Sequence, residues 1–214
     1  MVDKKEGIKA IIFDIGGVLI SGGLLKKLKR GHESGVHEYM AKKLKVTIDQ
    51  YFDAIDTAYA LSIENKAPKK KILSIMAKNL KTTSSKLEKL YFKAYKRHFK
   101  KNKKLFKLAF KLKKQGYKIA ILSDQWQVSQ ELFVSNKMRK KFDVVIISSE
   151  VGMRKPDPKI YKLTLKKLKL PAKQTVFVDN QKWNIVPAKK LGMKTILYKD
   201  VEQTKKALEK LGIK

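Results

Sequence analysis

Residues 10–20, AIIFDIGGVLI, set the terms on which the rest of the chain is read. Ile11, Ile12 and Phe13 follow Ala10 without a polar break, the pattern of a short strand covered on both faces, as the strands of parallel sheets are. A carboxylate, Asp14, stands where that strand ends. Gly16 and Gly17 come next, so the backbone can turn sharply and approach a ligand where a side chain would stand in the way. Ligands of open α/β sheets bind beyond the carboxyl ends of the strands. Asp14 is therefore the first candidate site residue, although a lone Asp in such a place is more often a turn cap.

The later chain repeats the pattern. A helix over 105–115 stops at Gly116, and the strand YKIAIL (117–122) ends at Ser123 and Asp124. A helix through QVSQELFVSN (127–136) leads to the strand DVVII (143–147). Residues 160–168 read as a helix, 175–178 as a strand ending at Asp179, 185–191 as a helix, 194–198 as a strand, and a last helix starts near Glu202. Helix and strand in alternation imply a Rossmann-like α/β core, a parallel sheet with helices on both faces.

Between the first strand and this alternation the periodicity is helical only. Apolar residues recur at helical spacing in VHEYMAKKLKV, IDQYFDAIDTAYALSI, KKKILSIMAKNL and SSKLEKLYFKAYKRHF. Thr47 with Gln50 fits a capping box, Ser84 or Ser85 is a candidate cap for the last segment, and Pro68 suits the start of the third. The expected organisation is a core of residues 1–20 and 101–214 with a helical insert, 21–100, hinged at Ser21 to Gly23 and near Lys100.

Composition narrows the field. With 214 residues and a hydrophobic fraction of 43%, the chain can bury a sizeable core despite its charge. It has no cysteine, which excludes disulfides and thiolate metal sites. No apolar run is long enough to cross a membrane, and MVDKKEG leads into no signal-peptide core, so a cytoplasmic location is expected. The formal charge of +32 implies attraction to polyanions. Only Arg30, Arg97, Arg139 and Arg154 offer the fork that reads phosphates in pairs of hydrogen bonds, so nucleic acid is not the expected partner. KRHFKKNKKLFKLAFKLKKQG is basic and amphipathic, but Leu105, Leu108, Ala109 and Leu112 have a sheet to cover.

Parallel strands all point one way, which brings Asp14, Ser123 and Asp179 to one sheet edge, joined by the loop after DVVII that carries Lys155. Two carboxylates, a hydroxyl and an ammonium in one crevice suit phosphoryl transfer to a carboxylate with help from a divalent cation. FDIGGVL, LSD, GMRKPDPKIY and VFVDNQKWNIVPAKKLGMKTI also resemble, in order, the four motifs of the haloacid dehalogenase superfamily, most closely its phosphatase-like members with a helical cap inserted after the first strand. The resemblance covers the core, and the insert matches the cap in place and character.

That resemblance implies an Mg2+-dependent phosphatase of a small phosphorylated metabolite. Asp14 would be the nucleophile that becomes an aspartyl phosphate, Ser123, Asp124 and Lys155 would face the phosphoryl group, and Asp14, the Gly16 carbonyl, Asp179 and Asn180 would hold the metal. Asn184 would orient the metal loop, and Asp124 would also cap the following helix. Two positions depart from the family pattern. Gly16 stands where the phosphatases have a second Asp, the acid that protonates the leaving group; such a group is worth on the order of 10²- to 10⁴-fold. Asn180 replaces one member of an acidic pair, which removes a charge from the metal site. A slow phosphatase, a catalytically inactive anion-binding protein and a 2-haloacid dehalogenase-like hydrolase all remain open on these residues. Of the other candidates, Trp126 is expected to wall the crevice and Trp183 to pack. His32, His37 and His98 form no metal spacing, and Arg30 or the loop from Arg30 to Ser34 is a candidate substrate contact.

Overall fold

The computed structural model describes residues 7–21 and 35–213. Gly22, Gly23, Arg30, His32 and the loop to Ser34 therefore lie outside the described residues. In chain order the elements are β1 (Ala10–Phe13), β2 (Ile20–Ser21), α1 (Val36–Leu44), α2 (Ile48–Ile63), α3 (Lys69–Asn79), α4 (Ser84–His98), β3 (Lys100–Lys101), α5 (Lys103–Lys114), β4 (Lys118–Ser123), α6 (Gln130–Phe133) and α7 (Asn136–Arg139). They continue as β5 (Val144–Ile147), α8 (Ser148–Val151), α9 (Pro158–Leu168), a 3₁₀ turn at Ala172–Gln174, β6 (Thr175–Asp179), α10 (Lys182–Lys190), β7 (Lys194–Leu197) and α11 (Val201–Lys210).

The main sheet has the order β5-β4-β1-β6-β7, and all its pairs are parallel. β1 is central, so its four residues are buried on both faces, as the unbroken apolar run required. Ile11 and Phe13 join one apolar cluster with Ile121, Val178 and the helical segments. Ala10 and Ile12 join the other, with Leu122, Ile160 and Ala188 on the opposite face. This period of two distributes a single strand over two cores. The pairing sets Phe13 level with Ile121 and Val178, so Asp14, Ser123 and Asp179 emerge at neighbouring positions along one edge.

The helices α1 to α4 sit between β2 and β3, which pair antiparallel with Ile20 opposite Lys101 and Ser21 opposite Lys100. The chain thus leaves and re-enters the sheet region along one short ribbon. Asn102 locks that crossing: its side-chain amide donates to the Val18 carbonyl and the Tyr198 hydroxyl, and its carbonyl oxygen caps α5 through Leu105 N. A second bolt is Gln127 in the loop after β4. Its backbone N donates to Ser62 Oγ and its amide to Asn65 and the Ala67 carbonyl, both just beyond α2.

Local chemistry accounts for most helix ends. Thr47 and Gln50 form the reciprocal capping box, and Pro68 is the N-cap of α3. The cap of α4 is Thr83, which accepts from Lys86 N; Ser84 and Ser85 are already inside the helix. Gly116 takes a positive φ, +95°, in the turn two residues before β4 starts. The continuous helix expected over 127–136 is instead the two single turns α6 and α7, because Val134 leaves helical geometry at φ −126°, ψ 64°.

Inside the helical group, the hydroxyls of Tyr51 and Tyr91 bond to each other in a buried setting. Removing one leaves the other without a partner, a loss of about 1–3 kcal/mol, whereas removing both leaves nothing unsatisfied. Tyr51→Phe and Tyr91→Phe are each expected to lower the urea midpoint, and the double variant to be less destabilised than the sum of the two. Additive losses would show that the pair is not coupled.

Candidate active site

The site is organised by one buried cation. Lys155 is only 3% exposed, and its Nζ lies 3.0 Å from Asp14 Oδ1 and 2.7 Å from Asp179 Oδ2. Below it the ring of Phe177 contributes its π face at 5.6 Å. Burial pulls the Lys155 pKa down, but the carboxylates of Asp14, Asp179 and Asp124 outweigh that and raise it, so the group is an ammonium. Asp14 moves up instead. Its burial dominates over the opposing Lys155 charge, Asp179 adds to the rise, and hydrogen bonds from Ser123 and Lys155 oppose it.

Each of these side chains is delivered by a different element. Asp14 directly follows β1, with its backbone N bonded to the Val178 carbonyl at 2.9 Å. Asp179 ends β6, and its carboxylate accepts from Gln181 N, from the Asn184 amide through both oxygens and from Lys155. Asn184 is fixed in turn, since its backbone carbonyl accepts from the Tyr161 hydroxyl. Asn184 therefore orients the loop, as its place in the motif implied. Lys155 rides a loop that Asp124 holds from below, accepting from Lys155 N at 3.1 Å. Asp157 then caps α9 by accepting from Lys159 N, and Pro158 starts the helix.

A crevice of ≈ 350 Å³ opens over this set. Asp14, Gly16, Asp124, Lys155 and Asn180 all line it, whereas Ser123 and Asp179 lie behind its wall, fully buried. The Ser123 hydroxyl bonds Asp14 and accepts from the Gln125 amide at 3.2 Å. Gly17 is needed for close packing as well as for its φ of +79°: a Cβ there would come within 2.4 Å of Asn180 Nδ2. Next to Gly16, by contrast, a Cβ would meet nothing within 4 Å.

Three expectations are corrected. Asp124 does not cap a helix, because residues 124–129 are not helical and α6 has no side-chain cap bond; the carboxylate holds the Lys155 loop instead. Trp183 does not pack: it is 63% exposed at the crevice rim. Trp126 walls a separate adjoining cavity, where its indole N–H donates to the Tyr95 hydroxyl. The sequence did not single out for the site Tyr59, Phe99, Phe133 and Arg154, which line the crevice from α2, the end of α4, α6 and the loop before Lys155. Arg154, next to the recognised Lys155, was the one with a local signal.

The residues present can accommodate a hard divalent cation. Asp14, the Gly16 carbonyl and Asn180 at the crevice, with Asp179 just behind its wall, offer oxygen donors only, the kind Mg2+ takes. Asn180 Oδ1 is buried and has no hydrogen-bond partner among the described residues. The described residues contain no cluster of three or more His, Cys, Asp or Glu side chains able to hold a metal, so such a site would have to mix carboxylate, amide and backbone oxygens.

Burial raises Asp124 from its ordinary 3.8 to about 6, against the opposing Lys155 charge and backbone hydrogen bond. Between those values the folded protein binds more protons than the unfolded chain, so stability falls as pH rises from about 4 to about 6. An asparagine in its place would keep the acceptor for Lys155 N without a charge. Asp124→Asn is expected to remove about 1–3 kcal/mol of the decline between pH 4 and pH 7, measured by urea denaturation in metal-free buffer. Equal declines in the two proteins would contradict the shift.

The chain matches the family model of haloacid dehalogenase-like hydrolases over residues 8–192. It is 38% identical over 102 residues to bifunctional epoxide hydrolase 2 of Sus scrofa, a stretch that covers 45% of this chain but only 18% of that protein. It is 37% identical over 94 residues to the glyceraldehyde 3-phosphate phosphatase of Methanocaldococcus jannaschii, covering 41% of each. The chain thus spans only part of the curated relatives it matches. In three dimensions it is similar to a haloacid dehalogenase family enzyme of Bacteroides thetaiotaomicron solved with magnesium and inorganic phosphate, at TM-score 0.74 and 21% identity, covering 90% of this chain and 95% of that one. With its sheet order, its buried Asp14–Lys155–Asp179 set and a family match across most of its length, the chain belongs to the haloacid dehalogenase-like hydrolases.

Proposed function

We propose that the protein is an Mg2+-dependent phosphatase of a small phosphorylated compound, working through an aspartyl phosphate on Asp14, with the helical group α1 to α4 as its cap. The observation that carries this reading is the buried Asp14–Lys155–Asp179 set, in which one ammonium is shared by two carboxylates at the base of an open crevice. The relatives support it: one is named a glyceraldehyde 3-phosphate phosphatase, and the Bacteroides enzyme was solved with magnesium and phosphate.

In this mechanism Asp14 is held by Lys155 and Ser123 with its carboxylate at the crevice wall, positioned to attack phosphorus. The Lys155 ammonium neutralises charge between the nucleophile and the incoming phosphoryl oxygens, and the exposed Arg154 draws the anion to the mouth. Asp14, the Gly16 carbonyl, Asp179 and Asn180 would hold Mg2+, which when bound adds positive charge facing the phosphoryl group. Nothing at position 16 protonates the departing oxygen, so solvent must do so. Water then attacks the aspartyl phosphate, releasing inorganic phosphate and restoring the Asp14 carboxylate.

The test is turnover of acetyl phosphate and of an alkyl phosphate, with and without Mg2+. Wild type is expected to hydrolyse acetyl phosphate in a metal-dependent reaction that Asp14→Asn abolishes. Lys155→Met should reduce kcat on the order of 10²- to 10³-fold. Gly16→Asp, for which the structure has room, should gain up to about 10²-fold or more on the alkyl ester and much less on acetyl phosphate. Absence of turnover of either substrate under all conditions would overturn the reading.

A further inference from the structure

Beside the crevice lies a second cavity, of ≈ 150 Å³. The two adjoin, and Tyr59, Phe99, Asp124 and Phe133 line both. The remaining wall is largely aromatic: the Trp126 and Tyr59 rings stand 5.6 Å apart, and those of Tyr95 and Phe133 also 5.6 Å apart. Val36 and His37 close one side. A cavity of about 150 Å³ has room for a benzene-sized guest.

The polar atoms on this wall are only partly taken: His37 Nδ1 is buried with no hydrogen-bond partner among the described residues, and the Asp124 carboxylate lines the side next to the crevice, while others are engaged. Ser129 Oγ donates to Gln125 Oε1, the Gln125 amide donates to Ser123, and the Trp126 N–H is bonded to Tyr95. A polyol leaving group would find only His37 Nδ1 and the Asp124 carboxylate for its several hydroxyls there, and burying the rest unpaired would cost binding. Position 16 points the same way. Without an acid to protonate the departing oxygen, an ester whose leaving group is stable as an anion is favoured, and a phenolate is far more stable than an alkoxide.

Building on the phosphatase reading, we infer that the substrate is an aryl phosphate, a monoester of a single-ring phenol whose ring occupies the aromatic cavity while its phosphoryl group sits over Asp14 and Lys155. An Asp14 carboxylate oxygen forms a bond to phosphorus as the bond from phosphorus to the phenolic oxygen breaks. The phenolate leaves with the electron pair and takes a proton from water. A second water attacks phosphorus, and inorganic phosphate departs as the Asp14 carboxylate is restored. The geometry places the ring between the sheet edge and the helical group, so the compound is recognised at both ends.

Binding separates this preference from the intrinsic reactivity of aryl esters. Inorganic phosphate, methylphosphonate and phenylphosphonate, none of which has an ester to cleave, are titrated into the Mg2+-loaded protein by calorimetry. Phenylphosphonate is expected to bind at least about tenfold more tightly than methylphosphonate, as burial of a ring requires. Val36→Phe, which fills the cavity, should bring the two within about threefold. Tyr59→Ala, on a half-exposed residue that tolerates truncation, should also narrow the gap. Binding of phosphate and both phosphonates within about twofold of each other would overturn the aryl assignment and leave the phosphatase reading standing. Failure of all three anions to bind would overturn both.

Discussion

The structure depends on a lysine that is almost wholly withdrawn from water. Moving an ammonium out of solvent costs several kcal/mol unless charges of opposite sign meet it inside, and Lys155 meets two, Asp14 at 3.0 Å and Asp179 at 2.7 Å. Each comes from the carboxyl end of a different strand, so the cation ties the central strand to its neighbour and to the loop that delivers it. Of the many lysines in this chain, Lys155 alone is buried among the described residues. Two carboxylates against one ammonium leave the set negative, which suits a divalent cation, and the cation in turn suits a phosphoryl group. Asp124 and Asn184 act one step further out, the first holding the backbone of Lys155 and the second the carboxylate of Asp179.

The parallel sheet was legible because its signals are local. An unbroken apolar run ending in Asp14 and glycines, the repeated alternation of helix and strand, and Gly116 before a strand each require only a few residues of context. The convergence of Asp14, Ser123, Asp179 and Lys155 then follows from strand polarity alone. What the chain's order conceals is what depends on distant contacts. Thr83 and Ser84 are equally good caps on paper, and only the backbone geometry of α4 chooses between them. The apolar residues of QVSQELFVSN suit a helix, and Val128, Phe133 and Val134 do join one buried cluster, but the backbone leaves helical geometry at Val134.

The same limit applies to the crevice walls. Tyr59, Phe99 and Phe133 sit on separate segments and read as ordinary apolar positions; nothing in their spacing says that they meet over Asp14. Trp183 was expected to pack because indoles usually do, yet the fold leaves it at the rim, where an apolar surface faces solvent and the crevice together. No helix among the described residues is long and apolar enough to cross a membrane. The charge of +32 is carried largely by lysines on outer helix faces, and it biases the surroundings of the crevice towards anions without shaping any one site.

The central claim is that Asp14 itself carries the phosphoryl group. The most direct measurement is acid quenching of a single turnover of acetyl phosphate with Mg2+, followed by proteolysis and mass spectrometry of the peptides. The account predicts one phosphoryl group on the peptide that contains Asp14, forming before phosphate is released and disappearing as it is. Phosphate release with no such adduct, or an adduct on any other side chain, would contradict it.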